Sequence, residues 1–257
     1  MEFWQAVILS IVEGISEFLP ISSTGHLVLA TDLLKISQTD FVKNFEISIQ
    51  LGAIASVVVI YFKTLTSDFK VWQKIVLGFI PTGILGFIFY DLIKEVLLGN
   101  LYVTLLALFL GGVILIILEK MYTEKQHHVE SLDNISLKQA FLIGVCQSVS
   151  MIPGVSRAAA TIVGGMFLGL KREAATGFSF LLAIPTMGAA TVFDLLKADL
   201  NFSSNELFIL LTGFLGSFIT ALLVVKFLTS YVKHHTFIPF GVYRIILTVV
   251  YWLLVIN

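Results

Sequence analysis

Six apolar runs, each long enough to cross a hydrocarbon core of about 30 Å as a helix of roughly 17 to 25 residues, constrain this chain more than any other feature. They lie near residues 44–62, 72–93, 101–118, 176–195, 206–228 and 237–256. Two further apolar regions, 1–34 and 138–170, are broken midway by Pro20-Ile21-Ser22-Ser23-Thr24-Gly25 and by Pro153-Gly154-Val155-Ser156. Proline removes a backbone donor and glycine relaxes the backbone, so each region reads as helix, break, helix, with neither piece long enough to span. Irregular backbone at membrane depth survives only against protein or a water-filled cavity, which marks both breaks as site walls. The expected fold is all-α and polytopic, with six transmembrane helices and two re-entrant helical hairpins in one integral membrane domain, 1–257.

Composition agrees. The 257 residues are 57% hydrophobic and 13% charged, with mean hydropathy +0.96, against roughly 25% charged in soluble domains. A formal charge of −1 gives no basic field for nucleic acid, so the expected partners are the lipid bilayer and molecules within it. The single cysteine, Cys146, excludes an intramolecular disulfide and a Cys-rich metal site. The N-terminus lacks the basic region and small-residue cleavage site of a signal peptide and is expected to belong to the mature protein.

The chain also repeats itself. A shift of 134 places Glu13 on Gln147, Ser16 on Ser150 and Ser22 on Ser156, and a shift of 133 places Pro20 on Pro153 and Phe45 on Phe178. One broken hairpin and three spans thus occur twice, in halves of about 1–135 and 136–257. Three is odd, so the second half starts from the opposite face, an inverted-topology repeat whose site is expected where the broken segments meet. With both hairpins re-entrant, the N-terminal face carries Lys35, Lys43, Lys94 and Lys197, and the other face carries ten basic residues: Lys63, Lys70, Lys74, Lys120, Lys125, Lys138, Lys171, Arg172, Lys226 and Lys233. The positive-inside rule then puts the 119–137 connector in the cytoplasm and both termini outside. His127 and His128 in that connector are read as polar loop residues rather than metal ligands.

Within the first hairpin, Glu13 and Glu17 are four apart and share a helix face, where like charges repel. In apolar surroundings a proton held on one carboxyl, a bound cation or a nearby arginine must offset that repulsion. Ser22, Ser23, Thr24 and Gly25 then supply the residue types of a helix N-terminus, at which free N–H groups form an anion site. His26 can take or give a proton near neutral pH and activate a hydroxyl or water. In the second hairpin, Arg157 follows Ser156 at a helix start, and its fork suits phosphate oxygens or a salt bridge to Glu13 or Glu17. Gln147 offers a neutral polar contact, while Glu46, Gln50 and Arg244 read as supporting or packing groups.

EGISEFLPISSTGHL and PGVSRAAAT resemble the two signature segments of the undecaprenyl-diphosphatase family, the bacitracin-resistance type of membrane phosphatase. The likeness extends over essentially the whole chain, through FEISIQLGA, FSFLLAIP and FIPFGVYR. It implies removal of one phosphate from undecaprenyl diphosphate, a polyisoprenyl diphosphate, which recycles the carrier lipid for peptidoglycan synthesis. It further implies a site on the outer face of the bacterial plasma membrane and a divalent cation, Mg2+ or Ca2+, at Glu13 and Glu17; a homodimer is compatible with it. By this resemblance Glu17, Ser23, His26 and Arg157 are the catalytic set. Glu13, Ser22, Thr24, Gly25, Gln147, Gly154, Ser156 and Thr161 are the binding set. One departure stands out: where the family more often reads SRSGAT, Ala158 and Ala159 stand here, so position 158 is assigned no phosphate contact. Whether Ser23 attacks directly, with His26 or Glu17 as base, or water does, the sequence leaves open. The rival class is a lipid-phosphate flippase or transporter on the same inverted-repeat scaffold.

Overall fold

The structure, a computed structural model, describes residues 1–67, 69–92, 97, 100–195 and 202–256. It is 81% helical, and among the described residues there is no β-strand, only an isolated bridge between Val129 and Leu170. In the first half α1 (Phe3–Ser16) and α2 (Ser23–Leu33) form the hairpin. They are followed by α3 (Asp40–Ile60), the short α4 (Phe62–Ser67), α5 (Phe69–Ile88), α6 (Tyr90–Leu92) and α7 (Leu101–Met121). In the second half α8 (Leu137–Ser148) and α9 (Arg157–Phe167) form the hairpin, and α10 (Arg172–Leu195), α11 (Ser204–Tyr231) and α12 (Ile238–Tyr251) follow. Six of these helices are long and apolar enough to cross a membrane, matching the six expected runs within a few residues at each end.

Local sequence sets the helix starts. Thr39 accepts the Val42 N–H ahead of α3 and Asn100 that of Val103 ahead of α7. Ser136 with Gln139 and Ser203 with Glu206 form capping boxes on α8 and α11, each satisfying two otherwise unpaired donors. The hairpin arms are short: α1 has 14 residues and α9 has 11. At 1.5 Å per residue they reach about 21 and 16 Å, well under a bilayer core. On α7, Leu106, Leu110, Ile114 and Ile117 form an exposed stripe, the face of a helix solvated by lipid rather than by a protein core.

Helix pairing follows the repeat. The hairpins pair internally, α1 with α2 and α8 with α9, and each first arm packs on a span of the other half, α1 on α11 and α8 on α5. Exchanging the halves carries the α3–α11 contact onto α10–α5 and leaves α3–α10 and α7–α12 unchanged. The α5–α8 contact is so close that a Cβ at Gly144 would lie 2.0 Å from the Gly78 carbonyl oxygen, the small-residue packing that lets membrane helices touch backbone to backbone.

The connector is strapped down on one face. Lys74, expected among loop residues, lies inside α5 and is buried, because Nζ reaches up to donate to the Leu132 and Asp133 carbonyls. Arg172 donates to Glu119 at 2.5 Å and to Glu124 at 3.4 Å and lies 4.7 Å over the Tyr122 ring. Burial, with Glu124 nearby, pushes the Tyr122 phenol up to about 12, so it stays protonated and donates to the Leu170 carbonyl. His128 Nδ1 meets that same hydroxyl at 3.2 Å. Lys94 and Lys197, part of the charge count for the other face, lie outside the described residues.

Candidate active site

The two breaks come to rest in one place, and in the same conformation. Ser22 (φ 74°) and Ser156 (φ 80°) are two of the three non-glycine residues with positive φ among those described. Both cap a helix: Ser22 Oγ accepts the Gly25 N–H at 3.3 Å and Ser156 Oγ the Ala159 N–H at 3.1 Å. A positive-φ serine costs on the order of 1–3 kcal/mol and persists where the surroundings enforce it, commonly at functional sites. By helix geometry the N–H groups of Ser23, Thr24, Arg157 and Ala158 have no carbonyl within their own helix, so two helix N-termini serve one locus. Gly154, at φ 96°, is required twice over, since a Cβ there would lie 2.4 Å from the Thr104 carbonyl oxygen.

Between the breaks runs a charge-assisted chain. Ser23 Oγ donates to Glu17 Oε2 at 2.5 Å, and Glu17 Oε1 accepts from Arg157 Nη2 at 3.1 Å and Nε at 3.4 Å. Both ionic side chains are deeply buried, at 10% and 6% exposure for Arg157 and Glu17. Arg157 Nη1 donates to the Ser179 carbonyl at 2.9 Å, and the guanidinium sits 5.7 Å over the Phe18 ring. Three of its five N–H donors are thereby used and two remain for an anion. Glu13 lies one turn before Glu17, fully buried, and neither carboxyl oxygen has a hydrogen-bond partner among the described residues. A buried carboxyl without a donor is costly unless it holds a proton or a cation.

His26 is held elsewhere. A carbonyl oxygen only accepts, so the 2.8 Å contact of Nδ1 with the Ser22 carbonyl puts the ring proton on Nδ1. Nε2 lies 2.8 Å from the Tyr243 hydroxyl, and the two rings stack at 5.6 Å. Among the described residues, Ser23 donates to Glu17 and not to His26. Next along α12, Arg244 is fully buried and forms no ion pair among the described residues. Its donors go to the carbonyls of Leu108, Pro20, Val155, Ala107 and Gly154 at 2.7 to 3.3 Å. All five N–H groups are satisfied, and one side chain ties both breaks to α7.

Other expected residues stand apart from this chain. Gln147 is buried but spends its amide on Thr82 and Thr186, at 2.9 and 3.1 Å. Thr161 Oγ1 donates to the Arg157 carbonyl at 2.9 Å and meets the Ser179 hydroxyl at 2.6 Å, bracing α9 against α10. Gly25 gives its N–H to the Ser22 cap. Glu46 accepts from Gln38 at 3.4 Å, near the start of α3. Sequence reading passed over Ser179, Phe18 and Tyr243. The first and last sit in FSFLLAIP and FIPFGVYR, segments that carry the family resemblance, and that was the available signal.

The family model described as bacitracin resistance protein BacA matches residues 6–250. Among curated relatives, the undecaprenyl-diphosphatase of Aquifex aeolicus (strain VF5) is 55% identical over 251 residues, covering 98% of each chain. That of Sulfurihydrogenibium sp. (strain YO3AOP1) is 50% identical over 249 residues, 97% of this chain and 98% of the relative. That of Persephonella marina (strain DSM 14350 / EX-H1) is 46% identical over 252 residues, again 98% of each.

Proposed function

The chain belongs to the bacitracin resistance protein BacA family, and on that premise we propose that the Glu17, Ser23 and Arg157 chain is the reacting centre of a membrane lipid-diphosphate phosphatase. The protein is an undecaprenyl-diphosphatase, hydrolysing undecaprenyl diphosphate to undecaprenyl phosphate and phosphate. The observation that carries the catalytic assignment is one hydrogen-bonded line of hydroxyl, carboxylate and guanidinium, with two guanidinium N–H groups to spare, between two helix N-termini.

In the proposed reaction, the two spare Arg157 N–H groups and the first-turn N–H groups of α2 and α9 hold the terminal phosphate and stabilise the charge spread over its oxygens. Ser23 Oγ bonds to the terminal phosphorus as the bridging bond to the lipid phosphate breaks, and the serine proton passes to Glu17 Oε2. Water then bonds to phosphorus and passes one proton to a phosphate oxygen as the serine ester opens, and Ser23 regains its proton from Glu17. The 2.5 Å contact supports Glu17 as the base for Ser23 in preference to His26. The Glu13 carboxyl fits a divalent cation, Mg2+ or Ca2+, since its oxygens are hard donors with no hydrogen-bond partner among the described residues. No group of three or more His, Cys, Asp or Glu ligands occurs among the described residues, so Glu13 and Glu17 would hold the ion jointly with substrate oxygens, as is usual for Mg2+. Such an ion supplies positive charge against the diphosphate.

We place the site at the outer face of the bacterial plasma membrane, where the product re-enters carrier-lipid recycling; the excess of basic residues on the connector face supports this. The nucleophile is tested by Ser23→Ala, with Ser22→Ala as the neighbouring control, in a phosphate-release assay on lipid diphosphate in detergent. Ser23→Ala abolishes turnover while substrate still binds, and Ser22→Ala loses about 1 kcal/mol of stability with its cap. A chirally labelled terminal phosphate gives retention through a phosphoserine; inversion with a mildly impaired Ser23→Ala enzyme makes water the nucleophile. A transporter reading predicts no phosphate release at all.

A further inference from the structure

We propose that Tyr243 is a positioning residue for His26: its hydroxyl fixes the imidazole with Nε2 as the proton-exchanging nitrogen, in a relay separate from Ser23 and Glu17. This rests on the phosphatase reading above and on the place that the family resemblance gives His26 in the catalytic set, but the geometry stands without either. The Ser22 carbonyl claims the Nδ1 proton at 2.8 Å, so Nε2 is the nitrogen left to exchange. The phenol 2.8 Å away is a donor to bare Nε2 and an acceptor once Nε2 is protonated. Either protonation state therefore keeps its hydrogen bond, and the ring does not have to turn between them. The near-parallel stack, 10° between ring planes, removes the remaining freedom.

Two further features point the same way. Glu17 already takes the Ser23 hydroxyl, so the hydrogen bonds leave His26 a proton position of its own. Tyr243 is also carried by a fixed backbone, because the adjacent Arg244 is bound by carbonyls of both breaks and of α7. The element that places Tyr243 against His26 is thus the one that ties Ser22's break to Ser156's. A tyrosine held only for packing would need the ring and not the hydroxyl.

Tyr243→Phe separates the two cases, since it keeps the stack and deletes the hydrogen bond. With purified full-length protein in detergent and lipid diphosphate as substrate, kcat falls roughly tenfold, the worth of one such bond, while KM stays within about twofold. In a His26→Gln background the same substitution has no further effect. Ile246→Ala, on the exposed face of α12, stays at the wild-type rate. Wild-type kcat in Tyr243→Phe overturns the proposal, as does an equal loss with and without His26. Where the His26→Gln background has no measurable turnover, the ¹⁵N resonances of the His26 ring decide. In both proteins Nδ1 reads as the protonated nitrogen, because the Ser22 carbonyl still holds it, and the Nε2 resonance moves in Tyr243→Phe as its hydrogen bond is lost; an unchanged Nε2 resonance overturns the proposal. If the wild type releases no phosphate, the enzymatic reading fails, and the ¹⁵N measurement still tests the pair.

Discussion

Replacing Glu17 by glutamine isolates the charge at the centre of the site from its shape. The amide side chain keeps the length and one acceptor oxygen, so an oxygen remains to face the guanidinium that now meets Glu17 at 3.1 and 3.4 Å. What disappears is the negative charge opposite a side chain only 10% exposed, and the base that accepts the Ser23 hydroxyl at 2.5 Å. Removing one partner of a buried ion pair outright costs about 3–5 kcal/mol. With glutamine retaining a hydrogen bond, and with the Ser179 carbonyl and Phe18 ring still beside Arg157, the cost here is expected nearer about 1–3 kcal/mol. Loss of a positioned base lowers rate by about 10² to 10⁴-fold, or about 2.7–5.4 kcal/mol of barrier. The assay is phosphate release at saturating lipid diphosphate, run beside a thermal-unfolding measurement in the same detergent. The folded variant shows a loss of at least about a hundredfold in kcat, with unfolding shifted down by about 2–12 °C. A folded Glu17→Gln protein turning over within about threefold of wild type refutes Glu17 as the base.

Arg244→Met removes five donors from buried carbonyls of three segments, so it lowers stability by more than about 3 kcal/mol; unfolding indistinguishable from wild type would show that the breaks are held by other contacts. The ten-to-four basic asymmetry predicts that the 119–137 connector is cytoplasmic. In a Cys146→Ala background, a cysteine substituted at His128 therefore escapes an impermeant reagent in intact cells, and labelling there reverses the orientation. Gln147→Ala costs about 1–3 kcal/mol through two lost buried hydrogen bonds, the hydroxyls of Thr82 and Thr186 keeping their carbonyl acceptors, while kcat stays within about threefold; a hundredfold loss of rate in a stable variant would bring Gln147 into the site.

The membrane class and the layout were legible because lipid imposes one-dimensional rules: a span must be apolar over about 20 residues, and a break must interrupt it visibly with proline or glycine. Even the 134-residue register was meaningful, since it aligns Ser22 with Ser156, and both adopt the same positive-φ capping conformation. Identity of side chain and a local break suffice for that, because capping is a contact within three residues. Partnership across the chain is different. A helical period says that Glu13 and Glu17 share a face, but which of them meets Arg157 depends on how α9 is set against the end of α1, and the structure chooses Glu17. The repeat matches Gln147 to Glu13 but not their surroundings, because α5 and α10 present Thr82 and Thr186 to the glutamine while Glu13 has no hydrogen-bond partner among the described residues. His26 is one of two bases, with Glu17, that the sequence leaves open for a serine three residues before it. On α2, however, its ring folds back to the Ser22 carbonyl and outward to Tyr243, 217 residues away. Contacts at that separation are fixed by the packing of α12 against α7 and the breaks, which no local pattern in the sequence encodes.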